Sequence, residues 1–208
     1  MKPEVEVRFL GVNYDSVRAT LRRAGAKQMH GMQFMKRVII DYPDQRMQRR
    51  KGSWAFVRLR DEGSRVMLTY KLIQENEKYD THEIEVEVSS FDKTIELLEA
   101  IGLKVISEQH TRREVWKLRS VEVSLDDWPW LPPMIELEGP DEARLQEVAS
   151  VLGFEWSKRI YGNSVIAYRM TYPGMTDQES VRDIEKLTFE EMPQWLKDRK
   201  ERSIYRRR

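Results

Sequence analysis

Charged and apolar residues alternate one by one in five separate stretches: Glu4-Val5-Glu6-Val7-Arg8-Phe9, Arg58-Leu59-Arg60, Thr69-Tyr70-Lys71, Glu83-Ile84-Glu85-Val86-Glu87 and Glu136-Leu137-Glu138. Successive side chains of a strand point to opposite faces, so each stretch collects its charges on one face. Other elements follow from changes of period and from punctuation. Residues 4–10 read as a strand. A helix opens at Asp15-Ser16, runs through Val17, Leu21 and Ala24, and stops at Gly25. Residues 29–41 are strand-like and end in the turn signal Asp41-Tyr42-Pro43-Asp44. Residues 54–60 and 65–73 flank Asp61-Glu62-Gly63 as a hairpin, and 82–88 form another strand. Ser89-Ser90 then caps a helix carrying Ile95, Leu97, Leu98 and Ile101 that stops at Gly102. Strands are predicted near 104–110, 112–118, 120–126 and 134–138. A helix runs from Pro140-Asp141-Glu142 through Leu145, Val148, Val151 and Leu152 to Gly153, and a last strand covers 164–170.

Short hairpin links dominate, which predicts an antiparallel α+β architecture. Around Pro173-Gly174 the composition turns polar and helix-forming and ends in Tyr205-Arg206-Arg207-Arg208. The chain therefore divides into a domain at 1–171 and a helical, basic-ended extension at 172–208. Amphipathic helices need an apolar sheet face to cover. Val5, Val7, Phe9, Val57, Leu59, Leu68, Tyr70, Ile84, Val86, Ile135 and Leu137 are expected to face outward beneath them, which turns the charged positions inward. A sheet with one solvated, salt-bridged face is the competing arrangement.

Composition narrows the partners. The chain has 208 residues, enough for a sizeable core, and 36 Lys+Arg against 35 Asp+Glu leave a net charge of +1. Such a balance argues against a protein that coats polyanions. The basic segment Arg46, Arg49, Arg50, Lys51 and the terminal arginines are read as a solvated loop and tail, so no nucleic-acid partner is expected. Cysteine is absent, which excludes disulfides, thiolate metal sites and cysteine nucleophiles. His30, His82 and His110 show no metal-ligand spacing. No apolar run approaches the roughly 20 residues of a membrane span. A soluble, cytoplasmic protein is expected. Glutamates at alternating strand positions supply hard oxygen ligands suited to Mg²⁺ or Mn²⁺, while arginines and lysines bind phosphate oxygens.

The ordered set of motifs resembles the CYTH superfamily, the triphosphate tunnel metalloenzymes, over about residues 3–170. Glu4-Val5-Glu6-Val7-Arg8 is similar to the family's opening E-x-E-x-K, with arginine where lysine is usual. Arg58 and Arg60 match its paired arginines, Lys71 a strand lysine, Glu83, Glu85 and Glu87 an acidic strand, and Arg113 a later basic strand. Asp126 and the closing Glu136-Leu137-Glu138 complete the pattern, with Thr111 where a lysine is common. The resemblance implies a closed eight-stranded antiparallel β tunnel with helices outside. It implies that Glu4, Glu6, Glu85, Asp126, Glu136 and Glu138 hold Mg²⁺ or Mn²⁺, and that Arg8, Arg58, Arg60, Lys71 and Arg113 bind a small-molecule triphosphate. It also implies that Lys71, Arg58 and Glu6 carry the catalytic work, in a monomer or homodimer. Arg8 stays protonated, so it can hold phosphate but cannot serve as a general base.

Three activities fit this set: hydrolysis of an inorganic, thiamine or nucleoside triphosphate, cyclisation of ATP to cyclic AMP and pyrophosphate, and triphosphate binding without turnover. Hydrolysis is preferred. Phe34, Trp54, Phe56, Trp128 and Trp130 are the residues that could shelve a nucleoside.

Overall fold

Alternation becomes strand wherever it was predicted before residue 140, and the strands join into one sheet. The computed structural model describes residues 2–74, 81–172, 174–175, 184–190 and 192–197. In chain order the elements are β1 (Lys2–Pro3), β2 (Glu6–Leu10), α1 (Tyr14–Arg23), β3 (Lys27–Asp41), β4 (Ser53–Asp61), β5 (Val66–Gln74), β6 (Thr81–Val88), α2 (Phe91–Ala100), β7 (Lys104–Leu118), β8 (Val121–Asp127), β9 (Met134–Glu138), α3 (Glu142–Val151), α4 (Ser164–Thr171), β10 (Lys186–Leu187) and α5 (Gln194–Lys197). Among the described residues no helix is long and apolar enough to cross a membrane.

The sheet runs β1-β6-β5-β4-β3-β7-β8-β9-β2, antiparallel along this path, with β10 added parallel to β7. Its two ends are adjoining segments of the chain. Lys2 and Pro3 pair with Glu83 and His82, whereas Glu6 to Leu10 pair with β9. The hydrogen-bond ladder does not close between β6 and β2, so the expected closed tunnel is met as a sheet whose ends are linked through Glu4 and Val5. The segments 104–110 and 112–118 are one strand, β7, paired with β3 along nearly its whole length. Register shifts between Gln28 and His30, His30 and Gln33, and Ile39 and Ile40 interrupt this ladder. Such bulges bend a strand and increase its twist.

Helices cover the apolar face largely as the pattern required. Val17 and Leu21 of α1 and Leu145, Val148 and Ala149 of α3 pack on Val7, Phe9, Ile135 and Leu137. Leu98 of α2 packs with Val38, Ile40 and Leu59, joined by Val57 and Leu68. Asn13 caps α1 through Ser16 N at 3.0 Å, Ser90 caps α2 and Asp141 caps α3. Gly25 and Gly102 take φ of 73° and 95° beyond α1 and α2, a left-handed turn that glycine enters without a Cβ clash. Ile84 and Val86 depart from expectation: they are 55% and 50% exposed.

Residues 164–170 form a helix, not the predicted strand. A short apolar run carries no decisive period, and the Asn163 side chain accepts from Val165 N to start a helical turn. Ala167, Tyr168 and Thr171, at helical spacing, form its buried side. The extension at 172–208 is expected to be helical and basic-ended. Its described part holds β10 and the single turn α5, while Pro173 and Arg206-Arg207-Arg208 lie outside the described residues. Ser107 Oγ donates to Ile184 O at 2.6 Å and Glu108 N to Glu185 O at 2.7 Å, which seats β10 on β7 beyond the end of its β8 ladder. Leu187 and Leu196 join Leu10, Trp128, Tyr168 and Tyr172 in one apolar cluster.

One buried carboxylate ties α1 to the sheet. Glu114, 3% exposed, accepts from Arg18 at 2.8 and 3.1 Å, from Gln28 Nε2 at 3.2 Å and from Trp116 Nε1 at 2.7 Å. Burial acts to raise its pKa, but the bonds from Arg18 and Trp116 outweigh that and hold it below the ordinary value. Glu114→Ala should cost about 2 kcal/mol in urea unfolding, because it strands the buried Trp116 Nε1–H and releases Arg18. A carboxylate with a depressed folded pKa adds stability above its unfolded pKa. The advantage over Glu114→Gln should therefore fade as pH falls through and below about 4.3.

Candidate functional site

The inner face of the sheet encloses a cavity of about 330 Å³. The expected metal-ligand and phosphate-binding residues all line it: Glu4, Glu6, Arg8, Arg58, Arg60, Lys71, Glu85, Arg113, Asp126, Glu136 and Glu138; Glu87, on the same acidic strand as Glu85, is exposed outside it. Strand parity places them there. Glu6 and Arg8 alternate with the outward Val7 and Phe9, and Arg58 and Arg60 with the outward Leu59. Arg112 obeys the same rule and turns away, pairing with Asp127 at 2.9 Å and lying over the Phe189 ring.

The signs interlock along one wall. Arg8 donates to Glu6 at 2.9 Å, to Glu136 at 2.5 Å and to the Gly162 carbonyl. Arg113 grips Asp126 through two bonds of 2.6 Å and reaches Glu136 at 3.1 Å. Glu6, Arg8, Glu136, Arg113 and Asp126 thus form a buried chain of opposite charges. Burial acts to raise the pKa of Glu136, but Arg8, Arg113 and Lys71 hold it well below the carboxylate range. For Glu6 and Asp126 burial wins and the pKa rises despite the neighbouring guanidinium.

Away from this chain carboxylates and cations still pair, but in uneven numbers. Lys71 lies 3.0 Å from both Glu4 and Glu83. Burial, helped by Glu6 and Glu83 and opposed by Lys71, pushes Glu4 up to about 8. Glu138 is exposed at the cavity wall yet has protein on several sides, and burial with Glu136, Glu122 and Glu6 pushes it up to about 7. Guanidinium groups gather elsewhere in the cavity. Arg58 contacts Thr69 at 3.2 Å and Glu85 at 3.3 Å, while Arg60 pairs with Glu62 and is lowered to about 10 by burial and by Arg58 and Arg113. The Nε–H groups of Arg58 and Arg60 are buried without an acceptor.

Several lining residues escaped the sequence reading. Arg37 sits on β3 directly opposite Arg60 and bonds Gln109. Its single inward charge gave no alternating signal of its own. Glu122 belongs to Glu122-Val123-Ser124-Leu125-Asp126, whose alternation could have revealed it. Gln48 comes from a loop without a period; Asp41 places it by accepting from the backbone N–H of Tyr42, Met47 and Gln48 at 2.6, 3.2 and 3.0 Å. The first turn of α4 also lines the cavity through Asn163, Ser164 and Val165. Of the aromatic candidates, Trp54, Phe56 and Trp128 line the cavity, whereas Phe34 stands exposed against His110.

Among the described residues no three carboxylate or imidazole side chains are already drawn together as a cation site. The donor set nonetheless suits a hard divalent ion. It is all carboxylate oxygen, and burial and mutual repulsion raise the cost of charge on Glu4, Glu6 and Glu138.

A family model described as the CYTH domain matches residues 2–164. Solved structures with a similar fold include the PH1012 protein from Pyrococcus horikoshii OT3, 24% identical, with 76% of this chain and 94% of that one covered and a TM-score of 0.61. A candidate adenylate cyclase from Vibrio parahaemolyticus is 17% identical over 78% of this chain and 95% of that one, with a TM-score of 0.63. A candidate adenylyl cyclase from Hippeastrum, described with a dominant triphosphatase activity, is 13% identical over 78% and 91%, with a TM-score of 0.50. No curated protein matches the chain.

The shared guanidinium in the buried charge chain makes a direct demand on stability. Arg8→Met leaves Glu6 and Glu136 without their common cation, and urea unfolding in chelator should show a loss of about 3–5 kcal/mol.

Proposed function

The chain belongs to the CYTH domain family, and from that premise we propose that it is a divalent-metal-dependent phosphohydrolase cleaving a triphosphate held in the charged cavity. The observation that carries this reading is the pair of buried, acceptor-free Nε–H groups on Arg58 and Arg60, in the same cavity as a separate group of carboxylates. Buried donors without acceptors are rare in folded proteins, and phosphate oxygens satisfy them in the planar geometry guanidinium prefers.

In this reading Arg8, Arg58, Arg60, Lys71 and Arg113 bind the phosphate chain. Glu4, Glu6, Glu136 and Glu138, with Glu85 and Asp126, would hold Mg²⁺ or Mn²⁺. Such an ion neutralises phosphate charge and makes bound water a stronger acid. Phosphoryl transfer asks mainly for positioning and electrostatic stabilisation, which preformed strand side chains supply with little reorganisation. Lys71 is held by Glu4 and Glu83, and Arg58 by Thr69 and Glu85, so both cations are aimed before substrate arrives. Arg8 serves as a fixed charge and not as a base.

A second reading, cyclisation of ATP, draws on one further observation. Trp54 and Phe56 stack with centroids 5.7 Å apart, and Gln48 Nε2 is buried without an acceptor in the same cavity. An aromatic shelf beside an unsatisfied amide donor suits a nucleobase.

Incubation with inorganic tripolyphosphate, thiamine triphosphate and ATP, each with Mg²⁺ and Mn²⁺, should release orthophosphate without cyclic nucleotide on chromatography. Cyclic AMP with pyrophosphate as the main ATP products would replace hydrolysis by cyclisation. Arg58→Ala and Lys71→Ala should each lower kcat/KM by about 30- to 1,000-fold, the usual effect of removing one preorganised charge contact, with the fold retained.

A further inference from the structure

Arg37 is the cavity cation whose charge the described protein leaves unanswered. It is 8% exposed, and its Nε and one terminal nitrogen donate to the neutral Gln109 Oε1 at 3.0 and 2.7 Å. No carboxylate lies within ion-pair distance of it among the described residues. Every other arginine lining the cavity, Arg8, Arg58, Arg60, Arg65 and Arg113, reaches at least one carboxylate. The sheet register aggravates the imbalance, because Arg37 stands directly opposite Arg60. Like charges facing each other across a ladder repel. Burial together with Arg58, Arg60 and Arg113 drives the proton affinity of Arg37 well below the ordinary guanidinium value.

The same surroundings hold the group in one pose. The guanidinium lies 4.0 Å over the Trp128 ring, and Trp128 in turn meets the buried Tyr168 edge-on, with centroids 6.5 Å apart. Gln109 is itself fixed by a 3.2 Å bond to Ser107 Oγ. Packing alone does not favour a buried cation facing three others, since an apolar side chain would fill the space without the electrostatic cost. The arrangement is accounted for once an anion enters.

We propose that Arg37 is a substrate-binding residue that donates to an oxygen of the phosphate chain and, with Arg60 opposite it, sets the cavity's preference for a highly charged polyphosphate. The proposal rests on the triphosphate reading above and extends it to a strand outside the charged motifs. Trp128 and Gln109 keep the guanidinium plane oriented, so lysine, which lacks the planar fork, replaces it only in part.

The test is calorimetric titration of the full chain with inorganic tripolyphosphate in Mg²⁺ buffer, beside thermal melting of the ligand-free protein in chelator. Arg37→Met should melt at the wild-type temperature or above it, because a repulsive charge is removed. Its Kd for tripolyphosphate should rise by about 10- to 100-fold, as expected for one charge-assisted contact. Arg37→Lys should fall between the two. Equal binding by wild type and Arg37→Met would overturn this inference and leave the triphosphate reading intact. A ligand-free Arg37→Met that melts well below wild type would also overturn it, since the guanidinium would then be structural. No binding of tripolyphosphate by wild type itself would remove the triphosphate reading and this inference together.

Discussion

The buried chain Glu6, Arg8, Glu136, Arg113, Asp126 is the constraint on which the rest depends. It spans β2, β9, β7 and β8, and each member lies where its strand faces the cavity. A cavity lined by carboxylates alone, or by guanidinium groups alone, would repel itself open. Alternation of sign along one wall neutralises charge locally and lets two uneven regions persist beside it, acids around Glu4 and Glu138 and arginines around Arg37 and Arg60. The apolar helices then complete the outer face of a sheet whose inner face is too polar to pack.

The strands were legible because period-two alternation is a local property. Each of the five charged stretches fell on a strand and turned its charges inward, and the helices of the first 153 residues followed from caps and terminal glycines. Continuity was less legible. Nothing local distinguishes two strands at 104–110 and 112–118 from the single bent β7, because its unity comes from pairing with β3. The run 164–170 was misread since six apolar or small residues carry no clear period. The buried placement of Tyr168 against Trp128, which decides the matter, is a tertiary contact.

The site divides in the same way. Residues that repeat a charge every second position were found, and all of them but Glu87 line the cavity. Arg37 and Gln48 were missed because each contributes one inward polar group from a segment that is otherwise apolar or aperiodic. Arg37 acquires meaning only through the register that sets it against Arg60, and Gln48 only through the loop that Asp41 ties down. Such residues are readable from topology and not from pattern.

The linkage of the sheet's two ends through residues 2–10 bears on how the chain reaches this structure. β2 has β9 as its strand partner, more than a hundred residues away in sequence, while the β3–β4, β4–β5 and β5–β6 ladders join near neighbours. During synthesis β2 therefore waits for its strand partner until residue 138 has left the ribosome. Loop closure of that length is slow to repay its entropy. The alternating charges of Glu4, Glu6 and Arg8 keep half of this waiting strand hydrated, so the residues that line the finished cavity also guard the nascent chain against aggregation through its first strand.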